Sequence, residues 1–88
     1  MYLHLGSNMA VRASAVIGVF DLDNTTESKH TRAFLEQAQR EGNLIDVSDE
    51  LPKAFVLTEE FGMNRVYLTQ LSAATVEKRL IRQAMTET

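Results

Sequence analysis

The alternation of apolar and polar side chains predicts short strands in the first quarter of the chain. Residues 2–5 alternate, residues 6–8 carry a turn signal, and residues 9–12 can return as the second strand of a hairpin. The uninterrupted β-branched and aromatic run at residues 16–20 is typical of a strand that is buried on both faces. The chain therefore opens with three predicted strands.

Two later segments carry the apolar spacing of helices. Residues 29–41 repeat apolar side chains at helical spacing, with Ser28 as the N-cap and Gly42 as the left-handed stop. A C-terminal helix begins after Ser72, which can cap it, and repeats apolar residues at four-residue intervals. Both predicted helices thus have an apolar side that can pack on a sheet.

Three further strands are predicted between the helices. Residues 44–47 form the first of them. Residues 53–58 and 65–69 form the other two and pair as a hairpin. Gly62 and Asn64 lie between them and can supply the positive φ that a hairpin turn needs.

The fold class that these elements predict is α+β. We expect a small single domain of short, largely antiparallel β-hairpins and two α-helices, each helix following a strand pair. Residues 1–85 form this domain and residues 86–88 a flexible tail. A chain of 88 residues leaves much apolar surface near solvent, and no cysteine is present to add a disulfide. Self-association is therefore the expected route to further burial.

The charge and hydropathy of the chain narrow its possible partners. A net charge of -3 argues against nonspecific coating of nucleic acid, which depends on neutralising many phosphates. Residues 65–88 are locally basic, however, with four basic side chains against two acidic ones. The first residues lack the basic start of a signal peptide, and the longest uncharged stretches are too short and polar to span a bilayer. We therefore expect a cytoplasmic protein that does not contact membranes.

An acidic motif at the end of the apolar strand suggests an enzyme. Asp21 and Asp23 belong to an Asp-x-Asp-x-Thr segment that resembles the nucleophile motif of haloacid-dehalogenase-type phosphatases. Thr58 could imitate the phosphate-binding residue of that family. The sequence supplies no further acidic pair at another strand end, and residues 53–69 predict a hairpin where a parallel sheet needs a crossover helix. A polar turn after a strand explains the two aspartates better, so we predict no enzymatic activity.

Other chemistry-bearing side chains give weaker signals. His4 and His30 are the only histidines and lack ligand-like companions, so we predict no metal ion and no cofactor. The basic residues Lys78, Arg79 and Arg82 of the C-terminal helix indicate a solvated face that complements the helix dipole. They would form a phosphate-contacting patch only if oligomerisation repeated them around a surface.

Three segments identify a resemblance when the chain is read end to end. They are the opening Met-Tyr-Leu-His-Leu-Gly, residues 51–58 and residues 66–76. Together they resemble the Rem-type extracellular matrix regulatory proteins, and the resemblance covers nearly the whole chain. It is closest to the RemB branch, which begins with the Tyr-Leu-His-Leu-Gly signature.

This resemblance implies a cytoplasmic bacterial regulator of extracellular matrix or biofilm genes. The RemA branch of the family forms rings that bind DNA through basic loop residues. At the positions where the family has those residues, this chain has Ala15, Glu50 and Leu51. The resemblance therefore leaves Arg12 and Lys53 as the candidate DNA-binding residues.

Two functions stay open on this basis. The first is an oligomeric transcriptional regulator that binds double-stranded DNA. The second is a ring-forming regulator that binds a protein partner, such as a related Rem-type protein, without contacting DNA. Asp49 and Glu50 lie close to Lys53 in sequence and would repel phosphate, so a single copy is expected to bind DNA weakly. A homo-oligomer is expected in both cases.

Overall fold

A computed structural model of the protein describes residues 2–6, 8–22 and 29–86. The predicted α+β class is confirmed, because the described part of the chain contains six strands and two α-helices. A 3₁₀ turn, Ala13–Ala15, links the second and third strands. The elements in chain order are β1 (Tyr2–Gly6), β2 (Met9–Arg12), β3 (Val16–Asp21), α1 (Lys29–Arg40), β4 (Leu44–Asp46), β5 (Ala54–Glu60), β6 (Met63–Thr69) and α2 (Ala73–Thr86).

The strands form two sheets. β1 and β2 pair as an antiparallel hairpin, as the alternation predicts. The other four strands form a sheet in the order β3-β5-β6-β4, in which only β4 runs parallel to its neighbour. β3 and β4 are therefore the edge strands of this larger sheet.

The four-stranded sheet lies between two apolar cores. Successive residues of β5 alternate between the cores because neighbouring side chains of a strand point to opposite faces. On one face, the β1–β2 hairpin and α2 pack against the sheet, and the buried residues are Leu3, Leu5, Val11, Val56, Tyr67 and Val76. On the other face, α1 packs against the sheet, and the buried residues are Leu22, Ala38, Phe55 and Val66. The domain thus has three layers.

A buried threonine fixes the small hairpin on the sheet. The hydroxyl of Thr69 donates a hydrogen bond to the carbonyl oxygen of Leu5 and accepts one from the N–H of Leu71 at 3.1 Å. Thr69 is fully buried, so its bond to Leu5 is shielded from water, and the bond from Leu71 is partly shielded. The end of β6 is therefore tied to β1 and to the start of the segment that leads into α2.

The termini of the helices follow the predicted chemistry. Gly42 adopts a φ of 76° directly after α1, as a left-handed helix stop requires. The backbone N–H of Thr75 donates to the hydroxyl of Ser72 at 3.2 Å, which confirms Ser72 as the N-cap of α2. The predicted cap Ser28 lies outside the described residues. Of the predicted tail, residue 86 ends α2, and residues 87 and 88 are also outside the described part.

The turn between β5 and β6 corrects the sequence prediction. The positive φ predicted at Gly62 is confirmed at 77°. Asn64, however, lies within β6, and the other turn residue with positive φ is Phe61, at 56°. A two-residue hairpin turn of this kind needs positive φ at both central residues. The prediction missed Phe61 because bulky side chains rarely adopt this conformation.

Strand β3 differs most from its prediction. An apolar run of this kind predicts burial on both faces, which is wrong for the single chain, since Ile17 is 57% exposed and Phe20 41% exposed. β3 forms an edge of the sheet, and its pairing with β5 is irregular between Val16 and Gly18. Hydrophobic pattern reports the preference of a side chain for burial and does not report where its strand lies in the sheet. Apolar side chains of β3 consequently face solvent.

Candidate functional site

Arg12 is the last residue of β2 and presents its side chain at the surface. The side chain is 55% exposed, and its Nε lies 3.5 Å from Oε2 of Glu60, the last residue of β5. An ion pair this exposed contributes little to stability, so it leaves Arg12 available to another anion. Glu60 nevertheless competes with any phosphate for the guanidinium group.

Lys53 lies immediately before β5, and its backbone is held from both sides. Its N–H donates to the carbonyl oxygen of Thr69 at 2.8 Å, and its carbonyl oxygen accepts from the N–H of Leu22 at 2.9 Å. The side chain is exposed, and so are Asp49 and Glu50 in the preceding loop. The backbone of Lys53 is therefore held beside the sheet, and its exposed ammonium group has exposed carboxylates in the preceding loop.

The structure does not bring Arg12 and Lys53 together within one chain. Arg12 pairs with Glu60 at one end of β5, whereas Lys53 precedes Ala54 at the other end. Lys53 and Glu60 are seven positions apart along extended chain, which corresponds to roughly 20 to 25 Å. A ligand that contacts both side chains must be extended or must bridge two copies of the chain.

Arg65 is a basic neighbour of Arg12 that the sequence did not assign to the site. Both arginines line an open groove of about 460 Å³, together with Glu60 and Phe61. Arg65 pairs with Thr58 across the β5–β6 hairpin, which places it two residues before the end of β5. The groove therefore offers two arginines against one glutamate near this end of the sheet.

The basic residues of α2 have varied surroundings. Lys78 and Arg82 are exposed, as expected for a solvated helix face. Arg79 is also exposed, but its Nη1 donates to the carbonyl oxygen of His4 at 3.2 Å. It thus helps to hold α2 against β1, so these three residues do not act as one free patch.

The residues that resemble a phosphatase motif are not arranged as one site. Asp21 pairs with Ala54 and Thr58 pairs with Val16, so Asp21 and Thr58 lie at opposite ends of the antiparallel β3–β5 pair. The hydroxyl of Thr58 is directed to the carbonyl oxygen of Arg65 at 3.3 Å. Asp23 lies outside the described residues. Thr58 therefore cannot bind a phosphoryl group beside Asp21.

The two histidines lie on different sides of the molecule. His4 is in β1, which packs on one face of the four-stranded sheet, and His30 is in α1, which packs on the other. They cannot bind one ion together. Among the residues that the structure describes, no group of three or more His, Cys, Asp or Glu side chains could hold a metal ion.

None of the helices within residues 2–6, 8–22 and 29–86 is both long and apolar enough to cross a membrane.

Comparison with known proteins gives two matches that agree with each other. The family model RemA-like, described as extracellular matrix regulatory protein A-like, matches residues 2–80. The chain is also 28% identical over 79 residues to the extracellular matrix regulatory protein B of Bacillus subtilis (strain 168). This alignment covers 90% of the chain and 89% of that protein. The matched range runs from β1 into α2 and includes Arg12 and Lys53.

Proposed function

The chain belongs to the RemA-like family of extracellular matrix regulatory proteins, and we propose that it is an oligomeric cytoplasmic regulator that binds double-stranded DNA. Family membership supports a role in regulating extracellular matrix or biofilm genes. The proposal adds two properties to that role. The protein assembles into a ring, and the ring contacts DNA through Arg12 and Lys53 of several copies.

The uncovered edge of the larger sheet supports self-assembly. Among the residues that the structure describes, β3 has a hydrogen-bonded neighbour on one side only, and it carries the exposed apolar residues Ile17 and Phe20. Exposed apolar edges favour pairing with another chain unless they are covered. Association between identical copies commonly closes with cyclic symmetry, so a ring is a natural product of such an edge.

The positions of Arg12 and Lys53 carry the DNA part of the proposal. Both side chains are exposed, yet they lie at opposite ends of β5 and each has acidic neighbours. One copy therefore offers too few phosphate contacts for stable binding, given the net charge of -3. Repetition of the two side chains around one face of a ring supplies the number of contacts that duplex DNA requires.

A ring that binds a protein partner without contacting DNA is the second candidate. Glu60 pairs with Arg12, and the exposed Leu51 and Glu50 occupy positions where the family has arginines. These features weaken a phosphate-binding surface and add an apolar side chain that is 85% exposed. A related Rem-type protein would be the partner in this case.

Charge reversal at the two candidate residues tests the DNA proposal. Lys53→Glu and Arg12→Glu are each expected to weaken binding to duplex DNA by about tenfold or more at low salt. Each lost phosphate contact lowers the slope of log affinity against log salt by about 0.9. Arg40→Glu, at the exposed end of α1, is the matched control and should leave both quantities unchanged. Fluorescence anisotropy with labelled duplex DNA measures affinity, and native mass shows whether the oligomer persists.

Removal of the carboxylate that pairs with Arg12 is expected to have the opposite effect on DNA affinity. Glu60→Gln removes the carboxylate that competes for the guanidinium group, so it should strengthen DNA binding while the oligomeric mass stays the same. Unchanged affinity and salt slope in Lys53→Glu and Arg12→Glu would show that these residues do not form the DNA-binding face. The protein-binding candidate would gain support if Glu60→Gln also had no effect.

A further inference from the structure

Phe61 is an aromatic residue with an unfavourable backbone conformation and a solvent-exposed ring. It lies at the tip of the β5–β6 hairpin, has a φ of 56°, and is 89% exposed. Turns with positive φ at both central positions prefer Asn-Gly over an aromatic residue followed by glycine. Within the single chain, most of the apolar surface of the ring is in contact with solvent. A binding partner outside the chain would bury it.

An aromatic groove of matching character lies on the α1 face of the sheet. Its ring centroids are close, since Phe20 stacks on Phe55 at 4.8 Å and Phe34 lies 6.0 Å from Phe55. The groove measures about 230 Å³, whereas small-molecule sites usually measure about 300–1,000 Å³. An aromatic side chain fits such a lining by offset stacking or edge contacts. The residues that line the groove are Phe20, His30, Thr31, Phe34, Phe55 and Leu57.

The Phe61 ring cannot fill the groove of its own chain. Phe55, in the floor of the groove, and Phe61 are six residues apart along one extended hairpin strand and its turn, which corresponds to about 20 Å. We propose that Phe61 of one copy inserts into the aromatic groove of the next copy. The occupant is thus a second copy of this chain, and the contact joins two different surfaces.

Charges beside the two surfaces complement each other. Glu59 is exposed two residues before Phe61, and strand alternation places it on the same face as the groove residue Leu57. Lys29 is exposed at the start of α1, one residue from the groove residue His30. The first turn of α1 contains no acidic residue, although a helix N-terminus favours negative charge. Glu59 of one copy can therefore approach Lys29 of the next.

The head-to-tail contact completes the basic site proposed above. A contact between two different surfaces repeats from copy to copy and closes into a ring when the rotation permits. It brings the Phe61 end of β5, which lies beside Arg12 of β2, towards the start of β5 in the next copy, which Lys53 precedes. This inference rests on the proposed self-assembly and adds that Arg12 and Lys53 of neighbouring copies form a shared phosphate-binding site.

Complementation between two defective variants tests the contact. Phe61→Asn removes the inserted ring and creates the preferred Asn-Gly turn, so the fold should be retained or stabilised. Phe34→Gln damages the groove on the exposed side of α1. Each variant alone is expected to lose association by about 30-fold or more, as for an aromatic residue anchored in an interface pocket. An equimolar mixture should form dimers with one copy of each, because one intact contact remains possible.

The readouts are native mass and circular dichroism on each variant and on the mixture. Ile81→Gln is the control, because Ile81 is 60% exposed but lies on α2, which packs on the other face of the sheet. It should assemble like the unmodified protein. A folded Phe61→Asn variant that assembles normally would overturn the inference, and so would two folded variants whose mixture stays monomeric.

A charge exchange tests the same contact without altering the rings. Glu59→Lys and Lys29→Glu should each weaken assembly, whereas the double variant should restore it because the two charges are reversed at every contact. A double variant that is weaker than both single variants would contradict the assigned contact. An unmodified protein that is monomeric would overturn the self-assembly itself, whereas an oligomer that tolerates all these substitutions would overturn only this interface.

Discussion

Replacing Gly6 with alanine is expected to lower the free energy of unfolding by about 3 kcal/mol, a large effect for one methyl group. Gly6 has a φ of 154°, and a Cβ atom there would lie 2.6 Å from the carbonyl oxygen of Val47. The contact is with backbone, so relief requires a shift of β1 or of the segment after β4. In a domain of this size the loss corresponds to a decrease in Tm of roughly 12 to 24 °C.

Two other glycines separate the steric cost from the conformational cost. Gly42 and Gly62 have φ values of 76° and 77°, and a Cβ at either would meet no atom within 4 Å. Gly42→Ala and Gly62→Ala should therefore cost only about 1 to 2 kcal/mol, the penalty of a left-handed conformation. Urea unfolding at one fixed protein concentration measures all three variants. Equal losses in the three would contradict the close approach of β1 to Val47.

Truncation of Leu3 to alanine is expected to cost about 2 to 5 kcal/mol, the range for a buried leucine. Leu3 is fully buried in the core that joins the β1–β2 hairpin, the sheet and α2. A domain of 88 residues has a total stability of about 4 to 13 kcal/mol, so this loss threatens the fold itself.

Leu51 provides the matched control for this substitution. It is 85% exposed in the loop before β5, so Leu51→Ala should change the free energy of unfolding by less than about 0.5 kcal/mol. Denaturant unfolding followed by circular dichroism compares the two variants. Similar losses in both would mean that the hairpin does not pack on the sheet as described.

Local patterns predict most elements of this fold because each depends on nearby residues. The alternation at residues 2–5 and the turn signal after it identify the first hairpin. Gly42 marks the end of α1 through its backbone conformation, and Ser72 marks the start of α2 through its hydroxyl. Such signals act within one turn or one strand pair. They are therefore visible in a sequence before any tertiary contact is known.

The environment of β3 could not be predicted in the same way. Its apolar run predicts a buried strand, whereas the single chain places it at the edge of the sheet with Ile17 and Phe20 exposed. Strand order is decided by contacts between residues far apart in sequence. The proposed assembly would cover Phe20 by contact with another copy. Its apolar side chain is therefore consistent with exposure in the single chain and with burial in the oligomer.

The neighbours of Arg12 could not be predicted from the sequence, because they depend on how the strands pair. Arg12 and Glu60 are 48 positions apart in sequence, and nothing local signals their ion pair. The sequence prediction began the last strand at Arg65, with a longer turn before it. The observed turn at residues 61 and 62 lengthens both strands and brings Arg65 into the groove beside Arg12.

The central claim is that an oligomer, and not a single copy, binds duplex DNA, and a salt titration combined with native mass tests it most directly. We expect the mass of an oligomer, which is two or more times the 9.9 kDa of one chain. We also expect affinity to fall steeply with salt, with a slope near 5 for about six neutralised phosphates. A monomer that binds with a slope near 1, or an oligomer that fails to bind even at about 50 mM salt, would contradict the claim.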